Sequence, residues 1–406
     1  MFVNRAASNK ANVAWWATVV LFFVHGLIVS SWVARIPAVQ GALHLDNGVL
    51  GLTLLSLAIG AVCSIPLTGW LLGRYGSKVV AAAASSLFSV WLPMIGLAFN
   101  SASLACVLFV FGGLAAAMDV SMNAQGVEVE NEIGTPTMSR FHAMFSLGGM
   151  IGAGLGGVAA AHGISAQLNF LISGAINLAA ILTIARLLLD TGRHLEATEH
   201  SLPLRRIPRV LFALSAIGFC NLLAEGAMGD WTAVYLQQVL RAGSGTAAMG
   251  YAVFSASMAV FRFFGDIITS RLGPLLTVRT GSLVAAGGLT WALLMRSPEW
   301  SLPGFAATGA GFSVIIPLVF GSGGRVKSVS PGAGIATVTG IGYVGFIVGP
   351  PAIGFASQLF TLRFALGIVV GCCLLSALLA QAMRDLQPGG VGSRNLPSRP
   401  PFEELP

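Results

Sequence analysis

"GWLLGRYGSK" occupies Gly69–Lys78, and "GDIITSRLGP" occupies Gly265–Pro274. The two stretches answer each other, and further pairs keep nearly the same separation. Trp32 is followed 19 residues later by Gly51, and Trp231 is followed 19 residues later by Gly250. "FSLGGMIGAGLGG" at Phe145–Gly157 answers "YVGFIVGPPAIGF" at Tyr343–Phe355. All these pairs sit roughly 198 residues apart, so the second half of the chain reads as a diverged copy of the first.

The solvent for both halves follows from composition. Of 406 residues, 55% are hydrophobic and only 9% charged, with a mean hydropathy of +0.82. A soluble domain carries about 25% charged residues. Lipid is therefore the expected surroundings, and an all-α polytopic membrane protein is the expected class. Twelve apolar runs of roughly 20 residues can be counted between positions 13 and 383. The polar stretch "DTGRHLEATEHSLPLRRIPR" at Asp190–Arg209 divides them six and six. The expected organisation is an N-terminal six-helix bundle at 1–189, a cytoplasmic linker at 190–208, a C-terminal six-helix bundle at 209–385 and a disordered cytoplasmic tail at 386–406.

The formal net charge of +7 does not point to nucleic acid, because almost all charges lie between the apolar runs. With both termini cytoplasmic, the outer loops hold Arg35, Arg241, Arg296 and Arg363, and the other 18 of 22 basic residues lie inside. The run at 13–33 is too long for a signal-peptide core and reads as the first span. The five cysteines, Cys63, Cys106, Cys220, Cys372 and Cys373, lack metal-ligand spacing and read as small core residues. Two six-helix halves related by a parallel repeat suit an alternating-access transporter, in which one half rocks against the other around a site at their interface.

"GWLLGRYGSK" resembles the loop signature between helices 2 and 3 of the major facilitator superfamily, with Gly73 where an aspartate is usual. "FFVHGLIVSSWVARIP", "DVSMNA" and "FHAMFSLG" resemble helices 1, 4 and 5 of fucose permeases, and "AEGAMGDW" resembles YbjJ-like bacterial inner-membrane proteins. The resemblance implies twelve transmembrane helices in two bundles related by a pseudo-twofold axis. It also implies secondary active transport in the bacterial inner membrane by a monomer, with protons and a small-molecule substrate as partners and no cofactor.

Asp119 lies inside the fourth span, where an ionisable side chain costs about 2.5–3.5 kcal/mol and usually faces a cavity or a partner. Asn123 is four residues on and shares its helix face. The fucose permease resemblance puts Asp119 in place of the proton-coupling glutamate; the other reading is a structural carboxylate tied to a neighbouring helix. The helix-1 acid of that family aligns with Val33, so a two-acid relay in the N-half is absent. Glu225 lies well inside the seventh span, with Asn221 one turn before it, and is a second proton-coupling candidate. His25, Asn123, His142, Phe145, Asn221 and Tyr343 are substrate-binding candidates. Arg74, Arg262, Asp266 and Arg271 are expected to gate the cytoplasmic side, with Asp266 pairing to Arg262 or Arg271. Arg35 and Asp230 are expected to pair at the outer rim when the outside is closed.

No Lys or Arg is expected at the middle of the cavity-lining spans, which argues against a strongly anionic substrate. Most tryptophans, Trp32 and Trp231 among them, read as interfacial belt residues. The glycines of "FSLGGMIGAGLGG" read as close helix packing rather than a dinucleotide loop, since no strand precedes them. Glu128, Glu130 and Glu132 read as a solvated face. An enzyme would need a nucleophile–base constellation or metal ligands, and His25 and His142 are isolated. The expected function is proton-coupled symport of a sugar-like or other neutral polar solute. Proton-coupled export of a cationic or neutral compound is the alternative, and a membrane enzyme or sensor is a remote one.

Overall fold

The computed structural model describes residues 2–135, 137–190, 207–326 and 329–386, apart from the side chains of residues 2–10, 266, 385 and 386. The linker expected at 190–208 and the tail expected at 386–406 lie almost wholly outside the described residues. The N-terminal half holds α1 (Phe2–Val33), α2 (Ile36–Ala42), α3 (Asn47–Trp91), α4 (Ser101–Ile133), α5 (Met138–Ala161) and α6 (Ala166–Ile184). The C-terminal half holds α7 (Arg209–Gln238), α8 (Ser244–Phe263), α9 (Gly265–Leu294), α10 (Pro298–Phe312), α11 (Ile315–Gly323), α12 (Pro331–Leu359), α13 (Leu362–Ala365) and α14 (Gly367–Leu379). There is no strand among the described residues. A helix closes its own backbone hydrogen bonds, as a chain in lipid must.

Among the described residues, ten helical segments are long and apolar enough to cross a membrane. One of them, Asn47–Leu97, runs for 51 residues and is broken at Gly76, so it makes two crossings. The part of α9 beyond Gly273 packs on α10 and α14 and adds another, which brings ten to twelve.

The two breaks explain the repeated sequence quoted above. Gly76 has φ 78° and ψ 164°; Gly273 has φ 76° and ψ 161°. A residue with a Cβ resists this backbone conformation. The same turn, at the same place in each half, redirects the chain from one span into the next.

Helix ends are fixed locally. Asp46 caps α3 by accepting from Val49 N at 2.8 Å. Asn100 and Ser103 form a capping box on α4, and Gly134, at φ 74°, ends it. Glu130 accepts from the backbone N–H groups of Thr137 and Met138 at 2.6 and 2.9 Å and so caps α5. Glu128 accepts from Ser77 Oγ at 2.6 Å. These two acids are thus structural, where a solvated face was expected.

Between apolar helices in lipid, close van der Waals contact replaces the hydrophobic effect as the binding force, so small residues mark the seams. A Cβ on Gly60 would lie 1.8 Å from Phe109 O, and one on Gly112 would lie 1.9 Å from Leu57 O. The backbones of α3 and α4 therefore touch. Gly148 of α5 meets α1 in the same way, its added Cβ 2.1 Å from Phe23 O, as the glycine-rich run implied. The two halves pack through α5 against α8 and through α3 against α12.

Two readings of side-chain placement are corrected. Trp32 and Trp231 are 2% and 0% exposed and belong to the interior, not to a belt. Cys63 and Cys106 are exposed, while Cys220 and Cys373 are buried as expected. An apolar run looks alike on all faces, so which face meets lipid is decided by the neighbouring helices.

Candidate functional site

A cavity of about 710 Å³ lies between the halves. Its walls come from α1, α3, α4 and α5 on one side and from α7, α8, α9, α11 and α12 on the other. This volume is typical of small-molecule sites. The end near α2 is closed by contacts between the halves. Gln238 Nε2 donates to Gln40 Oε1 at 3.1 Å, and Gln358 Nε2 donates to Asp46 Oδ1 at 2.5 Å. A Cβ on Gly51 would lie 2.6 Å from Pro350 O, so α3 and α12 are in backbone contact there. Toward the opposite end the walls are formed by Met138, Ser139, Gly265 and Thr269.

Asp119 and Asn123 both line the cavity from α4. The Asn123 amide donates to Asp119 O at 2.8 Å and to Asp119 Oδ1 at 3.2 Å. Helical spacing dictates that contact. No cation pairs with Asp119 among the described residues.

Glu225 lines the cavity from α7 and is held differently. Its Oε1 is 3.4 Å from Arg262 NH2 of α8. Arg262 also donates from Nε to Ser313 O at 3.1 Å and from NH1 to Ser146 Oγ at 3.0 Å. Ser146 belongs to α5, so this hydrogen bond crosses between the halves. Arg262 lies one residue before the end of α8, where position in the sequence suggested a gating loop. The cavity wall therefore contains a fixed cation, at the end of a span rather than at its middle, and Glu225 occupies it.

His25, His142, Phe145 and Tyr343, the other substrate-binding candidates, also line the cavity. His25 is 5% exposed, packs edge-on to Phe145 and Phe88 at 5.2 and 5.7 Å, and has no partner for Nδ1 among the described residues. His142 packs edge-on to Phe22 at 5.2 Å, and Tyr343 lies 5.9 Å from Phe346.

Other expectations fail. Asn221 is 3% exposed and turned away from the cavity; its amide donates to Ile217 O at 2.9 Å and to Ser376 Oγ of α14 at 3.1 Å. A four-residue step turns a helix by slightly more than one full turn, and α14 covers the face on which Asn221 falls. Arg35 does not pair with Asp230. It donates from NH1 to Gly156 O at 3.4 Å and from NH2 to Ile164 O at 2.5 Å, which anchors it to the end of α5 and the turn beyond. The Ile164 carbonyl lies beyond the end of α5, where no helical N–H follows to claim it, and Gly156 O is reached inside the helix. Asp230 lines the cavity instead.

Arg74 is exposed and lies over the Trp70 and Tyr75 rings at 5.5 and 5.6 Å. Arg271 is exposed and makes no ion pair among the described residues. The Asp266 side chain, and with it the expected Asp266 pairing, lies outside the described residues. Sequence reasoning missed Arg262 and Trp32 as cavity residues, and Ser146 as a partner of Arg262. A charge inside the apolar run of α8 was the available signal for Arg262; nothing in the sequence singled out Ser146. No cluster of three or more His, Cys, Asp or Glu suited to a metal occurs among the described residues.

Comparisons agree with this architecture. A family model described as Major Facilitator Superfamily matches residues 14–327. An uncharacterised MFS-type transporter of Yersinia pestis is 36% identical over 372 residues, covering 90% of this chain and 95% of that protein. An uncharacterised transporter of Sinorhizobium fredii is 33% identical over 365 residues, covering 90% and 96%. Among solved structures, an inward-facing, occupied bacterial homologue of the human lysosomal transporter Spinster superimposes with a TM-score of 0.72 at 15% identity, over 91% of this chain and 96% of that one. FucP, an MFS transporter in the outward conformation, gives 0.62 at 17% identity, over 92% and 99%. At these identities the structural likeness speaks for the fold.

Proposed function

This chain belongs to the major facilitator superfamily and is a multi-pass membrane transporter, and from that premise we propose that it moves a small polar organic solute by proton-coupled alternating access. The observation that carries the reading is Asp119. It is a carboxylate in the wall of the cavity between the halves, with an amide and, among the described residues, no cation beside it. Such a group is neutralised by a proton or by a cationic ligand. Protonation together with substrate binding removes the cost of carrying a charge through the occluded state, and the halves are then free to rock. The membrane is the bacterial cytoplasmic membrane with both termini inside, which makes the closed rim near α2 the outer one and this conformation inward-facing. The cavity is complete within one chain, in keeping with a monomer.

Symport into the cell is the first reading. Proton-coupled export is the second, favoured by the two cavity carboxylates, Asp119 and Asp230, that no basic side chain among the described residues pairs. Purified protein in proteoliposomes with an imposed pH gradient tests both. Solute should accumulate on one side only while the gradient lasts, and a protonophore should abolish the accumulation. The direction of net flux distinguishes symport from exchange. Flux insensitive to the protonophore would overturn proton coupling.

A further inference from the structure

Two polar groups at the closed end of the cavity have no partner among the described residues. Asp230 lines the cavity near the end of α7 and makes no hydrogen bond or ion pair among the described residues. Trp32 of α1 lines the same cavity, is 2% exposed, and its indole Nε1–H has no acceptor among the described residues. The place is defined by Gly229, the neighbour of Asp230. A Cβ on it would lie 3.8 Å both from Val33 of α1 and from Tyr251 of α8, so α1, α7 and α8 converge there.

The two unmet demands are of opposite kind. A carboxylate at membrane depth costs free energy unless a cation or several donors face it. A buried indole N–H without an acceptor also costs free energy, about 1–3 kcal/mol. Among the described residues Arg262 is the one Arg or Lys in the cavity wall, and Glu225 already holds it. Arg35, the other nearby cation, is bonded to carbonyls at the end of α5. An anionic solute would add repulsion at Asp230. A neutral polyol would satisfy Trp32 and leave Asp230 without a counter-charge. A solute with a protonated amine and a hydroxyl meets both.

We propose that Asp230 and Trp32 form the recognition end of the substrate site, and that the substrate is a small amino alcohol. Its ammonium group lies against the Asp230 carboxylate, and its hydroxyl oxygen accepts from Trp32 Nε1–H. This rests on the transporter reading above and narrows its substrate class. Asp119 keeps the coupling proton, so recognition and coupling are assigned to different carboxylates.

The test is thermal stabilisation of the purified full chain by matched solutes: glucosamine against glucose, 2-aminoethanol against ethane-1,2-diol, and 3-aminopropane-1,2-diol against glycerol. At least one amine should raise the melting temperature at a concentration about tenfold below that of its neutral partner, a difference of about 1.4 kcal/mol. Asp230→Asn, nearly isosteric, should abolish that preference, and Trp32→Phe should weaken the response to the amine. Equal responses within every pair, no response to any amine, or an unchanged preference in Asp230→Asn would each overturn the proposal. Asp119→Asn separates it from the coupling reading. That variant should still be stabilised by the amine while failing to accumulate it. Accumulation at the wild-type level in Asp119→Asn would sink the coupling role and leave the recognition end standing.

Discussion

Asp119 and Glu225 face the same cavity from opposite halves of a repeat, and they keep different company. Asp119 receives a hydrogen bond from the amide of Asn123 on its own helix, at 3.2 Å. Glu225 sits 3.4 Å from a guanidinium that also reaches Ser313 and Ser146. A carboxylate beside a guanidinium is neutralised without a proton. A carboxylate beside an amide is neutralised only when something arrives. The first arrangement suits a fixed joint, the second a group whose charge changes during a cycle. The repeat does not pair these two carboxylates, which stand on α4 and α7; it is their neighbours that divide the labour.

The largest effect is expected at Asp119. Asp119→Asn should cut gradient-driven accumulation in proteoliposomes by about tenfold or more, a factor that corresponds to about 1.4 kcal/mol, while counterflow exchange persists. Glu225→Gln should keep the dependence on the gradient. Equal loss of coupling in both variants would erase the distinction between them.

Next comes Arg262. Arg262→Ala leaves Glu225 unpaired in a partly buried wall and should lower thermal stability. The double variant with Glu225→Gln should recover part of the loss, with a coupling energy of roughly 0.5–3 kcal/mol. Simple additivity in that cycle would mean that the 3.4 Å contact holds nothing.

Ser146→Ala removes a hydrogen bond between the halves. A bond of this kind contributes roughly 1 kcal/mol, enough to shift a balanced equilibrium about fivefold. Labelling of a cysteine introduced at Thr269, on the cavity wall, should change by that factor. An unchanged labelling rate would confine Arg262 to a role within the C-half. The smallest effect belongs to the closed rim. Gln358→Ala loses an exposed bond to Asp46, and surface changes of this kind stay within about 0.5 kcal/mol. The same labelling should move by about twofold or less; a larger shift would make the rim, rather than Arg262, the joint that decides conformation.

Spans, repeat and bend were legible in the chain, because each rests on local or composition-level physics. Lipid demands long apolar runs with satisfied backbones. A left-handed turn demands glycine, and Gly76 and Gly273 stand where "GWLLGRYGSK" and "GDIITSRLGP" answer each other. A carboxylate such as Asp119 stands out inside an apolar helix because its cost there must be met somewhere.

Tertiary structure decided which way each polar side chain turns and what meets it. Asn221 and Glu225 share a helix face by spacing, yet Asn221 is bonded to Ser376 of α14 and Glu225 reaches the cavity. Arg262, by its position a gating residue, became the counter-ion of Glu225. Arg35 and Asp230 have opposite charges, but the carbonyls of Gly156 and Ile164 hold the guanidinium and leave the carboxylate facing the cavity. Trp32 and Trp231 lie near span ends in the sequence and in the interior of the protein. Helical periodicity relates residues of one helix to each other; their partners lie on other helices, set by crossings at small residues far away in the chain.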